Sequence, residues 1–102
     1  MLTHPDYSKL PSHIQDGVKR YIEHGVKPGD FLTAVICNDL KESFCRADET
    51  NIERMFDIVG FFYNEAPAGC WGSEERMTDW ITAGGQNGRL KAILSYSSSV
   101  SK

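Results

Sequence analysis

The sequence predicts an all-α protein, a compact bundle of about four short helices. Apolar residues recur every three or four positions along most of the chain, which is the spacing of one face of a helix. Capping residues and glycines bracket these segments, as they do at helix ends. The connections are only a few residues long, which is typical of neighbouring antiparallel helices in a bundle.

The first two predicted helices follow short polar segments. The first starts at Pro11-Ser12 and ends at Gly25, a natural C-terminal stop. The second starts at Asp30, a capping residue, and continues through Phe44 because the apolar spacing is unbroken. The apolar face of the first helix is Ile14, Val18, Tyr21 and Ile22, and that of the second is Phe31, Leu32, Val35, Ile36, Leu40 and Phe44.

The third predicted helix is the most strongly patterned, and we expect it at the centre of the bundle. Asp48 or Thr50 can cap it, and Phe61 falls opposite its apolar arc. Ser73 caps a fourth helix, which ends at Gly84. The apolar arc of the third helix is Ile52, Met55, Phe56, Val59, Phe62 and Tyr63, and the inner face of the fourth is Met77, Trp80 and Ile81.

The 102 residues are expected to form one domain. A polar N-terminal arm over residues 1–10 precedes the helical domain, residues 11–94, in which residues 89–94 predict one or two further helical turns. The last eight residues, 95–102, are rich in Ser and predict a disordered tail.

Composition disfavours several classes of function. The formal charge is −3, with acidic and basic residues interspersed, so nucleic acid is not the expected partner because such binding depends on clustered Lys and Arg. No apolar run approaches the ~20 residues of a membrane span, so no membrane partner is expected. Cys37, Cys45 and Cys70 include no CxxC pair. We therefore expect reduced thiols, no zinc site and no cofactor.

The loop between the third and fourth helices is the first candidate site. Tyr63, Asn64 and Trp71 lie there among two glycines and a proline. Aromatic side chains stack on bases, and Asn64 can recognise polar groups through its amide. Alternatively, Trp71 packs the loop onto the bundle and the segment is a structural corner.

Other candidate residues interrupt the apolar pattern or flank it. Asp39 falls inside the apolar arc of the second helix, either as an internal ion pair or cap or as a carboxylate that faces a ligand. Asn38 flanks the same arc as a surface amide or a ligand contact. His24 is a C-terminal cap of the first helix or a ligand contact. Phe61 is an ordinary exposed aromatic or an interface residue.

Two arginines complete the predicted ligand site. Arg20 and Arg46 are expected to approach the Tyr63–Trp71 loop and to bind phosphate, because the guanidinium fork binds phosphate bidentately. A cysteine-dependent enzyme, with Cys70 as nucleophile and His24 as base, is the weakest alternative, since a free Cys is usually a buried small side chain.

The segments Arg20–Gly25, Pro28–Val35, Asn38–Leu40, Arg46–Glu49, Tyr63–Pro67 and Cys70–Ser73 together resemble a family of small accessory proteins of tailed bacteriophages and prophages. The resemblance covers residues 10–85. It implies a setting, the cytoplasm of the infected bacterial host, and no particular chemistry. Small phage accessory proteins often inhibit or sequester components of host defence.

The sequence therefore leads to a non-enzymatic phage protein that counteracts host defence by binding. The favoured form is sequestration of a nucleotide-type immune signal. The alternatives are direct inhibition of a host defence protein, in the manner of an anti-CRISPR protein, and a regulatory or adaptor role. A homodimer fits a sequestering protein, and the sequence leaves the oligomeric state open.

Overall fold

Helices form the regular structure of the described part of the chain, which comprises residues 5–100 with side chains as far as residue 94. The structure is a computed structural model. Its helices are α1 (Ser12–His24), α2 (Asp30–Ile36), α3 (Leu40–Arg46), α4 (Glu49–Glu53), α5 (Met55–Asn64), α6 (Glu74–Ala83) and α7 (Gly85–Val100), and a short 3-10 helix, Ala68–Cys70, precedes α6. No strand occurs among residues 5–100, which confirms the all-α prediction.

The number of helices differs from the predicted four, because seven α-helices are present within residues 5–100. Two of the predicted helices are each interrupted, and the segment after Gly84 forms a helix of its own. The predicted Ser-rich tail, 95–102, lies outside the residues whose side chains are described. No helix within residues 5–100 combines the length and the apolar character needed to cross a membrane.

The prediction of one continuous second helix is wrong. Asn38 has a left-handed backbone, with φ of 62°, and it ends the first half because asparagine tolerates this conformation better than most residues. Asp39 then caps α3 by accepting a hydrogen bond from the Glu42 N–H at 3.1 Å. Asp39 is exposed, so its predicted position inside an apolar arc is also wrong.

The third predicted helix is interrupted at Arg54, between α4 and α5. Asp48 caps α4 as predicted, since its carboxylate accepts the Asn51 N–H at 2.8 Å. The buried face of α5 differs from the predicted arc. Its buried residues are Met55, Ile58, Phe61 and Phe62, whereas Ile52 on α4 and Phe56, Val59 and Tyr63 on α5 are exposed.

Trp80 and Tyr21 are core residues whose polar groups form hydrogen bonds to backbone carbonyls of neighbouring elements. The Trp80 indole N–H of α6 lies 3.1 Å from both the Tyr21 and Ile22 carbonyl oxygens at the end of α1. The Tyr21 hydroxyl donates a 2.6 Å hydrogen bond to the Cys70 carbonyl of the 3-10 helix. Both rings are at most 3 % exposed. These bonds join α1, α6 and the 3-10 helix around one apolar core.

The segment before α1 lies against α5. Leu10 is 2 % exposed and belongs to the core, and the Tyr7 ring packs on Phe61 with ring centroids 5.4 Å apart. The Asp6 N–H donates to the Glu65 carboxylate at 3.1 Å. Residues 5–10 are therefore held in place by both apolar and polar contacts.

The helices α1 and α7 meet through two glycines. Gly25 and Gly85 both have a left-handed backbone, with φ of 69° and 71°. A Cβ atom on Gly85 would lie 2.5 Å from the Gly25 nitrogen, which is closer than van der Waals contact allows. The two backbones therefore pack at a distance that no larger residue permits.

We expect Gly85→Ala to lower the free energy of unfolding by about 3 kcal/mol or more, because it combines backbone strain with overpacking. Gly29→Ala is the matched control, since Gly29 has extended backbone and no atom within 4 Å of the position that an alanine methyl group would take. That change should stay within about 1 kcal/mol. Urea denaturation followed by circular dichroism measures both, and equal losses would contradict the close packing of α1 and α7.

Candidate ligand-binding groove

An open groove of about 530 Å³ lies between α1, the first turn of α2 and the connection from α3 to α4. This volume is in the range of pockets that hold small molecules. The polar side chains that line the groove are His13, Asp16, Arg20, Asp30, Arg46, Asp48 and Asn51, and Phe31 adds an aromatic ring.

The two predicted phosphate-binding arginines both line this groove. Arg20 has no ion-pair partner among the described residues. Arg46 contacts Glu42 at 3.1 Å and Asp30 at 3.7 Å, and its side chain is 55 % exposed. Surface pairs of this kind contribute about 0–1 kcal/mol, so an incoming anion can displace the carboxylates from Arg46.

Asn51 is the buried polar residue of the groove. It is 4 % exposed, and its side-chain Oδ1 has no hydrogen-bond partner among the described residues. A buried acceptor without a donor costs about 1–3 kcal/mol. A donor group that reaches this oxygen from the groove would recover that free energy.

Asp48 organises the wall beside Asn51. One carboxylate oxygen accepts the Asn51 N–H at 2.8 Å, and the other lies 3.0 Å from the His13 Nε2. The cap of α4 and the side chain on α1 are thereby joined across the groove. Phe31 is half-buried, so part of its ring remains available for contact.

The charges of the groove are nearly balanced. Two guanidiniums face the carboxylates of Asp16, Asp30 and Asp48. Two of these carboxylates already have partners, Asp30 with Arg46 and Asp48 with His13 and the α4 backbone. This balance disfavours a long polyanion, and it leaves Arg20 as the guanidinium of the groove that no carboxylate of the described residues pairs with.

The structure separates the other predicted ligand residues from this groove. His24 is the last residue of α1, 58 % exposed, with its Nε2 3.9 Å from Glu23. Asn38 forms the turn between α2 and α3. Asp39 lines a neighbouring cleft of about 260 Å³, which shares Asp30 and Arg46 with the groove.

The loop from Tyr63 to Ser73 has the contacts of a structural corner. The Trp71 ring packs on Phe62 at a centroid distance of 6.1 Å, and the Gly72 N–H donates to the Ile36 carbonyl at 2.7 Å. Tyr63 is 77 % exposed, and Asn64 lines a separate hollow beside α5. None of Tyr63, Asn64 and Trp71 lines the groove with Arg20 and Arg46.

The prediction of an exposed Phe61 is wrong. Its ring is 3 % exposed and packs between Tyr7 and Phe62. Because Phe61 is buried, its ring is not available for the predicted interface. The exposed aromatic residues of α5 are instead Phe56 and Tyr63.

Most residues of the groove are absent from the predicted site, among them the side chains His13, Phe31 and Asn51. The apolar periodicity places Phe31 on the inner face of a helix, and no pattern in the sequence singles out His13. The sequence contains one signal for Asn51. Asp48 precedes it by three residues, which is the spacing between a capping residue and the backbone N–H from which it accepts a hydrogen bond. That spacing places Asn51 in the first turn of α4, but only the tertiary structure brings it against α1.

Cys70 has the properties of a structural thiol. Cys70 is fully buried, and burial raises the pKa of its thiol to about 12, opposite to the lowered pKa of a cysteine nucleophile. Burial also raises the pKa of the Cys37 thiol. Cys45 is exposed. No group of three or more His, Cys, Asp or Glu in the described region is arranged to hold a metal ion.

Comparisons of the chain with protein-family models, with curated proteins and with solved structures found no match. The class of the protein therefore follows from its own geometry, a small all-α domain with a polar groove. The resemblance to phage accessory proteins stays a prediction.

We expect Cys45 to react rapidly with a thiol reagent such as dithiobisnitrobenzoate, whereas Cys70 should react only after unfolding.

The pH dependence of the free energy of unfolding follows from the burial of Cys70. Between the ordinary thiol pKa of 9.0 and the folded value of about 12, the unfolded state loses a proton that the folded state retains. The free energy of unfolding therefore falls with rising pH, by up to about 1.4 kcal/mol per pH unit from this group.

Denaturation of wild type and Cys70→Ala between pH 8 and pH 11 isolates this contribution, because other titrating groups affect both proteins. The wild-type curve should fall more steeply above pH 9. Parallel curves, or alkylation of Cys70 in the native protein, would contradict a buried thiol.

Proposed function

We propose that this protein is a non-enzymatic binding protein that captures a nucleotide-type molecule in the groove between α1, α2 and α4. One observation carries the proposal. Arg20 and Arg46 line the same groove as Asn51, whose buried amide oxygen has no partner among the described residues. Guanidinium groups and a free amide oxygen are complementary to phosphates and to the N–H groups of a base.

Each residue has a distinct role in this proposal. Arg20 and Arg46 bind phosphate oxygens through charge-assisted hydrogen bonds, which are about twice as strong as neutral ones. Asn51 accepts from a base or sugar donor, and the partly exposed Phe31 ring contacts the planar part of the ligand. His13 pairs with Asp48, and the Asp48 carboxylate is already engaged as a helix cap. This arrangement supports holding a ligand rather than transforming it.

The biological setting rests on the resemblance to phage accessory proteins. In the cytoplasm of an infected bacterium, a nucleotide produced by a defence system is a ligand of the chemistry that the groove matches. Capture at stoichiometric amounts would lower its free concentration and counteract host defence. An open groove of this kind also permits closure by a second subunit, so a homodimer is part of the proposal.

Direct inhibition of a host defence protein is the second candidate. It is favoured by a different observation, the exposed aromatic residues Phe56 and Tyr63 on α5. A regulatory or adaptor role would use the same surface.

We expect a nucleotide that binds the groove to raise the melting temperature, with a stabilisation of about 2.7 kcal/mol at a hundredfold excess over the dissociation constant. Cyclic mononucleotides and cyclic dinucleotides are suitable probes. Arg20→Ala and Arg46→Ala should each weaken binding about tenfold or more, because a hydrogen bond to a charged group contributes about 1.5–3 kcal/mol.

Lys19→Ala is the matched control, because it removes one positive charge from α1 without changing the groove lining. Isothermal titration calorimetry measures all three variants. A second route is heat denaturation of protein purified from infected cells, followed by mass spectrometry of the supernatant. Equal losses in Lys19→Ala and Arg20→Ala would reduce the effect to net charge. Failure of both the titration and the extraction would end the nucleotide proposal.

Asn51→Ala separates ligand recognition from stability. The change removes the unpaired oxygen, which favours the folded state, and leaves a small cavity, which disfavours it, so the free energy of unfolding should stay within about 1 kcal/mol of wild type. The affinity for a nucleotide should nevertheless fall at least fivefold. A large loss of stability would mean that the amide already has a partner in the free protein.

A further inference from the structure

Three exposed apolar side chains lie on α5, and a fourth lies on α4 beyond the interruption at Arg54; together they are here called the outer face: Phe56, Val59, Tyr63 and Ile52. The three residues of α5 are separated by three and four residues, the spacing that places side chains along one line of a helix. Phe56 is 89 % exposed and Tyr63 77 % exposed. This spacing is also that of residues that pack against a neighbouring helix.

The exposed area of the outer face is that of the largest apolar patch on a typical monomeric protein, which is often functional. An aromatic side chain buries about 150–250 Å² when it is covered, so the four side chains together offer roughly 500 Å². Monomeric proteins rarely expose a larger continuous apolar patch. A stable protein interface covers about 800 Å² on each partner. The apolar area of the outer face is therefore more than half of the area that one partner buries.

One side of the outer face is acidic. Glu53 and Asp57 flank it on α4 and α5, and Asp6 and Glu65 follow around a hollow of about 110 Å³. Lys9 is the cation that lines this hollow. Arg54 pairs with Asp57 at 2.8 Å and donates to the Lys9 carbonyl. The acidic character of this side therefore comes from Glu53, Asp6 and Glu65, which have no ion-pair partner among the described residues.

The hollow continues the outer face toward the N-terminal segment. Phe56 and Phe61 form its apolar lining, and Gly60 leaves it open. Its carboxylates belong to Asp57, Asp6 and Glu65. The volume is that of a single side chain, and this lining is complementary to a Lys or Arg side chain, whose stem is apolar and whose end is charged.

We propose that the outer face docks an amphipathic helix of a partner protein whose apolar side chains are flanked by Lys or Arg. The apolar side chains of that helix cover Phe56, Val59 and Tyr63. Its basic flank lies along Glu53, and one basic side chain enters the hollow above Phe61, near Asp6 and Glu65. This helix-on-helix packing places apolar anchors on one face and complementary charge at the rim.

Charge also argues against an antiparallel second copy as the occupant. An antiparallel pair of α5 helices about a two-fold axis places the same flank of both copies on one side of the seam. The Glu53 carboxylates of the two copies would then lie on the same side, and like charges across a helix pair are unfavourable. A basic partner helix removes this repulsion.

This surface is independent of the nucleotide proposal. None of the four side chains of the outer face lines the groove that holds Arg20 and Arg46. Substitutions on the outer face should therefore leave nucleotide affinity unchanged, and substitutions of the two arginines should leave helix docking unchanged. Either proposal can fail while the other stands.

Two synthetic 18-residue helical peptides test the docking surface. Both carry leucines at the same i, i+3, i+4 and i+7 positions, and the flanking positions are Lys in one and Glu in the other. Fluorescence anisotropy at about 0.15 M salt should show saturable binding of the Lys peptide to the wild-type protein and none of the Glu peptide. Phe56→Ser and Tyr63→Ser should each weaken the Lys peptide at least tenfold.

Two variants separate packing from charge. Ile93→Ser, which changes an exposed apolar residue of α7, should leave the affinity unchanged, whereas Glu53→Lys should weaken the Lys peptide severalfold and weaken it less at high salt. Circular dichroism of each variant checks that the fold is retained.

Three results would overturn the proposal. The first is that the Lys peptide does not bind or binds no more tightly than the Glu peptide. The second is that Phe56→Ser binds the Lys peptide as wild type does. The third is a dimer detected by light scattering that Phe56→Ser converts to a monomer, which would assign the outer face to a second copy of the chain.

Discussion

The structure depends on how the end of α1 is held. Trp80 donates its indole N–H toward the carbonyls of Tyr21 and Ile22, and Tyr21 donates its hydroxyl to Cys70. Carbonyls at a helix C-terminus lack partners within the helix, and a buried tryptophan or tyrosine must satisfy its polar tip. These bonds meet both needs at once. They fix α1, the helix that carries Arg20 on its exposed side.

Helix interruptions build the groove. A continuous helix from Asp30 to Phe44 would carry Arg46 away from α1 along a straight axis. The left-handed turn at Asn38 and the caps at Asp39 and Asp48 instead redirect the chain. Arg46 and the first turn of α4 are thereby brought against α1. The polar residues that interrupt the apolar pattern thus act through the backbone, and the site follows from the turns that they form.

Local signals accounted for the parts of the fold that local chemistry controls. The stops at Gly25 and Gly84 and the caps at Asp48 and Ser73 are where the sequence indicated, because a cap or a left-handed glycine involves only neighbouring residues. The pairing of Arg20 with Arg46 in one groove was also anticipated in part. The predicted meeting of these arginines with the Tyr63–Trp71 loop did not occur, because it depended on helix directions that sequence spacing does not define.

The sequence by itself determined that this chain is helical and where α1 and α6 begin and end. Only the tertiary structure decided which side of α5 is buried. Apolar residues surround most of that helix, so its periodicity is compatible with burying either Phe56 or Phe61. The side that carries Phe61 is buried because Tyr7 packs on the Phe61 ring and Leu10 belongs to the same core. The interruption at Arg54 also sets the direction of α5. The free energy of burial depends on what packs against a residue, and that partner lies about fifty positions away in the chain.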